Sequence, residues 1–162
     1  MRLNNKNKGN YFHFLSTVVF MTVFGGVVLF LLEKYKFQYL GSSIYLILIF
    51  PLLLLLLFFL RGRQIFEFDS DGEALNFKNR NVILFLDKAL SDEFPKYKLK
   101  EYEVVDAFFF KRLYITVFSK KNSSVILKYD ISYLTKKELS DLKTSLSKVI
   151  KANNDNKSEK LS

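Results

Sequence analysis

The chain has no cysteine and no tryptophan, and only one histidine, two prolines and six glycines in 162 residues. Without cysteine there can be no disulfide and no thiolate chemistry, and the redox compartment leaves no trace in the sequence. The single histidine, His13, lies at the start of an apolar run and cannot serve as an oriented base for the polar half of the chain. A glycine-rich phosphate loop is absent too. These gaps close most routes to catalysis, so a non-enzymatic protein is expected, with no catalytic residue, cofactor or metal.

Charge is missing from two long stretches. Ser43–Leu60 has none, and the uncharged segment reaches 22 residues when counted from Tyr39. At about 1.5 Å per residue this crosses a hydrocarbon core of roughly 30 Å. It shows no polar face, unlike the core helix of a soluble protein. Tyr11–Leu32 is a second uncharged run, interrupted only by His13. It is longer than a signal-peptide core and leads into Glu33-Lys34-Tyr35-Lys36 without a small-residue cleavage pattern. Both read as retained spans. The short connection Glu33–Ser42 makes them antiparallel neighbours.

Arg2, Lys6, Lys8, Arg61 and Arg63 flank the pair on the outside, against Lys34 and Lys36 in the connection. Five basic residues against two predict both termini in the cytoplasm and a multi-pass protein of the inner (cytoplasmic) membrane. Tyr11, Tyr35 and Tyr39 occupy interfacial positions. Thr22, Gly25 and Gly26 form a small-residue face for helix packing, either within the hairpin or against another membrane subunit. Pro51 removes one backbone donor and bends the second helix. Neither span contains Asp, Glu, Lys or Arg, which argues against a self-sufficient channel or transporter.

The mean hydropathy of +0.08 averages two unlike halves. Residues 61–162 hold 20 of the 25 Lys+Arg and 15 of the 16 Asp+Glu. A basic surplus beside a membrane points to anionic lipid before nucleic acid, and no nucleic-acid partner is expected. From Gln64 the sequence turns to short alternating runs. Gln64–Asp69 and Glu73–Lys78 read as strands about a tight turn at Ser70-Asp71-Gly72. Val82–Leu86 reads as a strand and Asp87–Pro95 as a loop with room for one helical turn. Lys98–Phe110 reads as mostly extended, with an irregular point near Asp106, and Arg112–Ser119 and Ser124–Tyr129 as strands. Thr135 and Glu138 form a capping box, with Leu134 and Leu139 as a hydrophobic staple. Leu139, Leu142, Leu146, Val149 and Ile150 then make one apolar helical stripe. Ala152–Ser162 has nothing to bury and reads as a disordered tail.

The organisation expected is thus a tail over 1–10, a helical hairpin over 11–62 (spans 11–32 and 43–60), a domain over 63–151 and a tail over 152–162. Six or seven antiparallel strands followed by an amphipathic helix, behind a membrane hairpin, resemble the bacterial pleckstrin-homology-like (YcxB-like) membrane proteins. The likeness covers roughly residues 10–150. It rests on this element order, on Asp71-Gly72, on RLYITVFSKKNSSVILKY, and on the helix after YDISYLTKKEL. It implies an α+β domain, an antiparallel β-barrel closed by a C-terminal amphipathic helix, and a membrane location. It supplies no catalytic residues. The tryptophan usual in such domains is missing, with Tyr97 or Tyr102 in its place.

Other candidate sites are plainer. Glu67-x-Asp69-x-Asp71-Gly72 matches the opening of a calcium loop, but Lys78 stands where a bidentate glutamate is required, and a hairpin turn is the simpler reading. Glu101 and Glu103 alternate on one strand face and read as solvated. Phe108, Phe109 and Phe110 cannot all point into one core. They pack under the C-terminal helix or, with Lys111, Arg112, Arg61 and Arg63, form a lipid or partner surface. Lys78, Arg80 and the pair Lys120-Lys121 are dispersed, so weak, salt-sensitive attraction to anionic headgroups is expected, without a specific headgroup pocket. The function expected is a membrane-anchored interaction module binding a partner protein or an anionic lipid surface. The alternative is an accessory subunit of a larger membrane complex. Homo-oligomers are compatible with both.

Overall fold

The computed structural model describes residues 1–83, 88–119 and 123–159. Its elements run β1 (Arg2–Asn4), α1 (Gly9–Leu32), α2 (Tyr45–Arg61), β2 (Ile65–Asp69), β3 (Ala74–Arg80), β4 (Leu90–Pro95), β5 (Leu99–Asp106), β6 (Lys111–Phe118), β7 (Ser124–Asp130) and α3 (Lys136–Glu159).

The segments Lys6–Phe37 and Gly41–Arg61 are two helical stretches long and apolar enough to cross a membrane. They lie antiparallel, with Phe20 edge-on to Phe58, Gly26 against Pro51, and Phe30 beside Tyr45. Only 17% and 11% of their apolar windows are buried, so most of their side chains face outward. The connection begins with a π-helical turn over Glu33–Phe37, closed by Gln38 in the left-handed region (φ 57°). The Glu33 carboxylate accepts the Leu40 N–H at 2.6 Å, which satisfies one donor where the chain leaves the helix.

The strands form two antiparallel sheets, ordered β1-β2-β3-β4 and β5-β6-β7. Among the described residues they do not close into the expected barrel. Their inner faces and α3 enclose one core, with Phe66, Phe68, Leu75 and Phe77 from the first sheet. Leu113, Ile115 and Tyr129 come from the second, and Leu142 and Leu146 from α3. Phe77 stacks on both Phe94 and Tyr129, with centroids 5.7 and 5.0 Å apart. The aromatic centre of the domain is therefore Phe77–Tyr129. Tyr97 is 69% exposed, and Tyr102 is half-buried with its hydroxyl 2.9 Å from Ser147, so neither fills a tryptophan-like core position.

Three further expectations are corrected, and a fourth falls largely outside the described residues. The N-terminal tail contains β1, whose Leu3 is buried and pairs with Phe68. A single apolar residue gives no periodicity, so the strand is specified by its long-range partner. The presumed loop before Pro95 is β4, paired along β3 from Asn79↔Leu90 to Ala74↔Pro95, with the proline at the strand end. Of the strand expected at Val82–Leu86, Val82 and Ile83 form a bend and the rest lies outside the described residues. Helix α3 continues through the presumed disordered tail to Glu159. Its extension is anchored where Asn153 Nδ2 donates to the carbonyls of Lys96 (2.8 Å) and Leu99 (3.0 Å).

Candidate functional site

The chain offers no linker between hairpin and sheets, and the residues that replace one make up an extensive polar cluster among the described residues. Helix α2 ends at Gly62, whose N–H donates to Phe59 O at 3.0 Å and whose φ of 72° and ψ of −151° suit glycine alone. A Cβ added at Gly62 would collide with the carboxylate of Asp130. Asp130 is 7% exposed and is held by cations on two strands' approaches. Its Oδ2 accepts from the Arg63 N–H and from Arg63 Nη1, both at 3.3 Å, and its Oδ1 lies 3.6 Å from Arg112 Nε. Burial of such a carboxylate is tolerated because the charge is paired with two guanidinium groups and Oδ2 accepts two hydrogen bonds.

Below it, the amide of the fully buried Asn79 imitates a strand. Its Oδ1 accepts the Asp130 N–H at 2.8 Å, and its Nδ2 donates to Asp130 O (3.1 Å) and Ile65 O (3.0 Å). One side chain from β3 thus joins the start of β2 to the end of β7, across the gap between the sheets. Asn5 does the same for the other end of the hairpin. Its Nδ2 donates to Gln64 O and its Oδ1 accepts the Phe66 N–H, each at 2.9 Å. Gln64 Oε1 in turn accepts the Val82 N–H at 3.0 Å.

The outer ring of the junction is aromatic and basic. Ser132 Oγ donates to Arg61 O at 2.8 Å and accepts the Lys111 N–H at 3.0 Å, tying α2 to the start of β6. The Arg61 guanidinium lies 5.3 Å over the Tyr133 ring, which is edge-on to Phe12 at 5.2 Å. Phe12, Ile65 and Val82 form a small core of their own beneath it. Burial pushes the Tyr133 phenol up, against the opposing pull of Arg61. Lys8 Nζ reaches both oxygens of Glu138 at 3.2 Å, joining the start of α1 to the start of α3.

The residues predicted as a lipid or partner surface converge on this end, in different states. Arg63 and Arg112 are directed to Asp130, and their side chains are only 15% and 26% exposed. Phe110 is half-buried beneath the Arg112 guanidinium at 4.3 Å. Phe108 and Phe109 are 94% and 50% exposed, so the tripeptide is a turn rather than a strand and is not covered by α3. Lys111 pairs with Asp106 at 2.7 Å. Of the small-residue face, Gly26 faces Pro51, a Cβ added at Gly25 would meet no atom within 4 Å, and the Thr22 hydroxyl donates to Val18 O.

His13 is exposed on α1, and Glu101 and Glu103 are exposed on β5. The carboxylates of the calcium-like pattern each have a cation: Glu67 pairs with Lys6 at 2.9 Å, Asp69 with Arg2 at 2.8 Å, and Asp71 with the Met1 amino group. Arg80 lies 3.9 Å from Glu67, and Lys78 is exposed. Lys120-Lys121 lies outside the described residues. Sequence reasoning passed over Asn5, Gln64, Asn79, Asp130 and Ser132. The one local signal was the glycine between two arginines, which marks an abrupt helix end.

No family model, no curated protein and no solved structure matches this chain.

Proposed function

We propose that the chain is a non-enzymatic, membrane-anchored interaction module at the cytoplasmic face of a bacterial inner membrane. The hairpin crosses the bilayer twice, and the two-sheet domain rests on the leaflet, where it engages a partner protein or the anionic lipid surface. The observation that carries this reading is the attachment at both ends. Strands β1 and β2, adjacent in one sheet, are the chain immediately before and after the hairpin. This adjacency supports both ends of the hairpin leaving the membrane on one side, and the five-to-two basic bias favours the cytoplasm as that side. The outward-facing apolar side chains of both helices support a lipid surrounding over a protein core. The strand order with a closing helix supports the likeness to pleckstrin-homology-like domains, in an open two-sheet form.

The absence of native cysteine makes the topology directly testable. Tyr39→Cys in the connection and Tyr97→Cys in the domain are both at exposed positions. In intact spheroplasts an impermeant maleimide should label the first, and should label the second only after lysis. Labelling of both, of neither, or in the reverse order overturns the reading.

A second reading, an accessory subunit of a larger membrane complex, draws support from Gly25, which leaves open space on the outer face of α1. Extraction in mild detergent separates the two. A species of 19.1 kDa plus detergent argues against the subunit.

A further inference from the structure

The turn between β5 and β6 presents two aromatic rings to the outside at the same end of the domain as the hairpin. It is closed by the Ala107 N–H donating to Phe110 O at 2.9 Å, which leaves Phe108 and Phe109 as its two central residues. The tip of such a four-residue connection is ordinarily polar, because its side chains meet mostly solvent. Here the rings pack edge-on against each other at 4.8 Å, and Phe108 is 94% exposed. Large apolar residues at a tip contribute nothing to the core and invite aggregation unless something apolar receives them.

The position of the tip identifies what receives it. Lys111, the first residue after the turn, donates its N–H to Ser132, which donates to the carbonyl of Arg61, the last residue of α2. The tip thus sits two hydrogen bonds and a few residues from the end of the apolar helix. Near the rings, Lys111 (paired with Asp106) and Arg61 at the end of α2 supply the cations of this end, while Arg112 is turned inward to Asp130. At the opposite end, about 20 Å along β3, the turn containing Asp71-Gly72 is polar.

We infer that the β5–β6 turn is a third membrane contact, with Phe108 and Phe109 inserted among the lipid headgroups and upper acyl chains beside α2. The inference rests on the anchoring reading above. It makes the domain's orientation on the leaflet fixed at three points instead of two, with the β5–β6 turn directed at the surface.

Because the chain has no tryptophan, a single substitution gives an unambiguous reporter. Full-length Phe108→Trp, Tyr97→Trp and Phe50→Trp would be reconstituted separately into vesicles containing lipids brominated at shallow or deep acyl positions. Position 50 is in α2, and position 97 lies in the connection between β4 and β5, beside Glu73 and away from Arg61. All three residues are exposed, so the replacements leave the core intact. Expected is deep-bromine quenching at position 50, and shallow-bromine quenching at position 108 at least about threefold stronger than at position 97. Quenching at 108 no stronger than at 97, with position 50 quenched, overturns the insertion and leaves the anchoring. Loss of quenching at position 50 overturns the anchoring and the insertion together. Phe109→Trp provides an independent second reporter on the same turn, and equal silence there counts against insertion.

Discussion

Gly62 and Asp130 stand so close that a methyl group on the first would occupy the carboxylate of the second. The last residue of one helix turn and the last residue of β7 thereby define the angle at which α2 meets the sheets. Gly62→Ala combines that collision with a backbone of φ 72°, ψ −151° that alanine tolerates poorly. A loss of about 2–4 kcal/mol is expected in denaturant unfolding of the detergent-solubilised chain. Asp130→Ala relieves the collision, so the double variant should lose less than the sum of the two single ones.

Asn79 satisfies backbone groups on two strands that do not pair with each other. Asn79→Ala leaves a buried Asp130 N–H and two buried carbonyls without that partner. The expected cost is about 2–4 kcal/mol, with early hydrogen exchange at the Asp130 amide. Asn79→Asp keeps the acceptor and loses the donor, and adds a carboxylate near Asp130, so it should be no milder. A change below about 0.5 kcal/mol for either variant would contradict the bridging role.

Glu138 combines the capping box with the link to α1. Desolvation pushes its carboxyl upward, but the Thr135 N–H (2.7 Å) and hydroxyl (2.9 Å) and the Lys8 ammonium outweigh it and hold the pKa below the ordinary 4.5. A depressed folded-state value contributes stability that is complete above the unfolded pKa and is lost as pH falls through the folded one. Stability of the wild-type chain should therefore decline below about pH 4.5 more steeply than that of Glu138→Gln. Lys8→Met should narrow the difference between them. Parallel acid curves for wild type and Glu138→Gln would remove this role.

The two adjacent glycines of α1 should behave oppositely. A Cβ at Gly26 would lie 2.6 Å from Pro51 Cγ and 3.3 Å from Ile47 O, so Gly26→Leu forces the helices apart. A Cβ at Gly25 would meet no atom within 4 Å, so Gly25→Leu should leave the hairpin intact. Cysteine pairs across the helices, such as Phe20→Cys with Phe58→Cys, report this by crosslinking. Efficient crosslinking should survive Gly25→Leu and fall severalfold with Gly26→Leu.

Residues with a repeating local pattern were legible in advance. The uncharged runs correspond to α1 and α2, and Asp71-Gly72 marks the turn between β2 and β3. The alternation from Arg112 is β6, and Thr135 with Glu138 begins α3. What escaped depends on partners distant in the chain. Leu3 is one apolar residue whose strand exists because Phe68 lies opposite. Leu90 and Phe94 are too widely spaced among polar neighbours to reveal β4. Asn153 prolongs α3 through carbonyls of another element. The junction was hidden for the same reason, since asparagine and aspartate in a strand give no sign of the backbone groups they will meet. The basic residues were visible, but not that Arg63 and Arg112 would be used inside the protein.

The pairing of β1 with β2 also governs the order of assembly. Their connection, Asn5–Gln64, is the whole helical hairpin, so the first strand leaves the ribosome long before its partner has been made. Closing so long a connection as free coil carries a large entropic cost, whereas two helices already side by side bring Asn5 and Gln64 within bonding distance in advance. Packing of the two helices thus lowers the cost of pairing β1 with β2, and that pairing requires the chain to have been translated past Asp69.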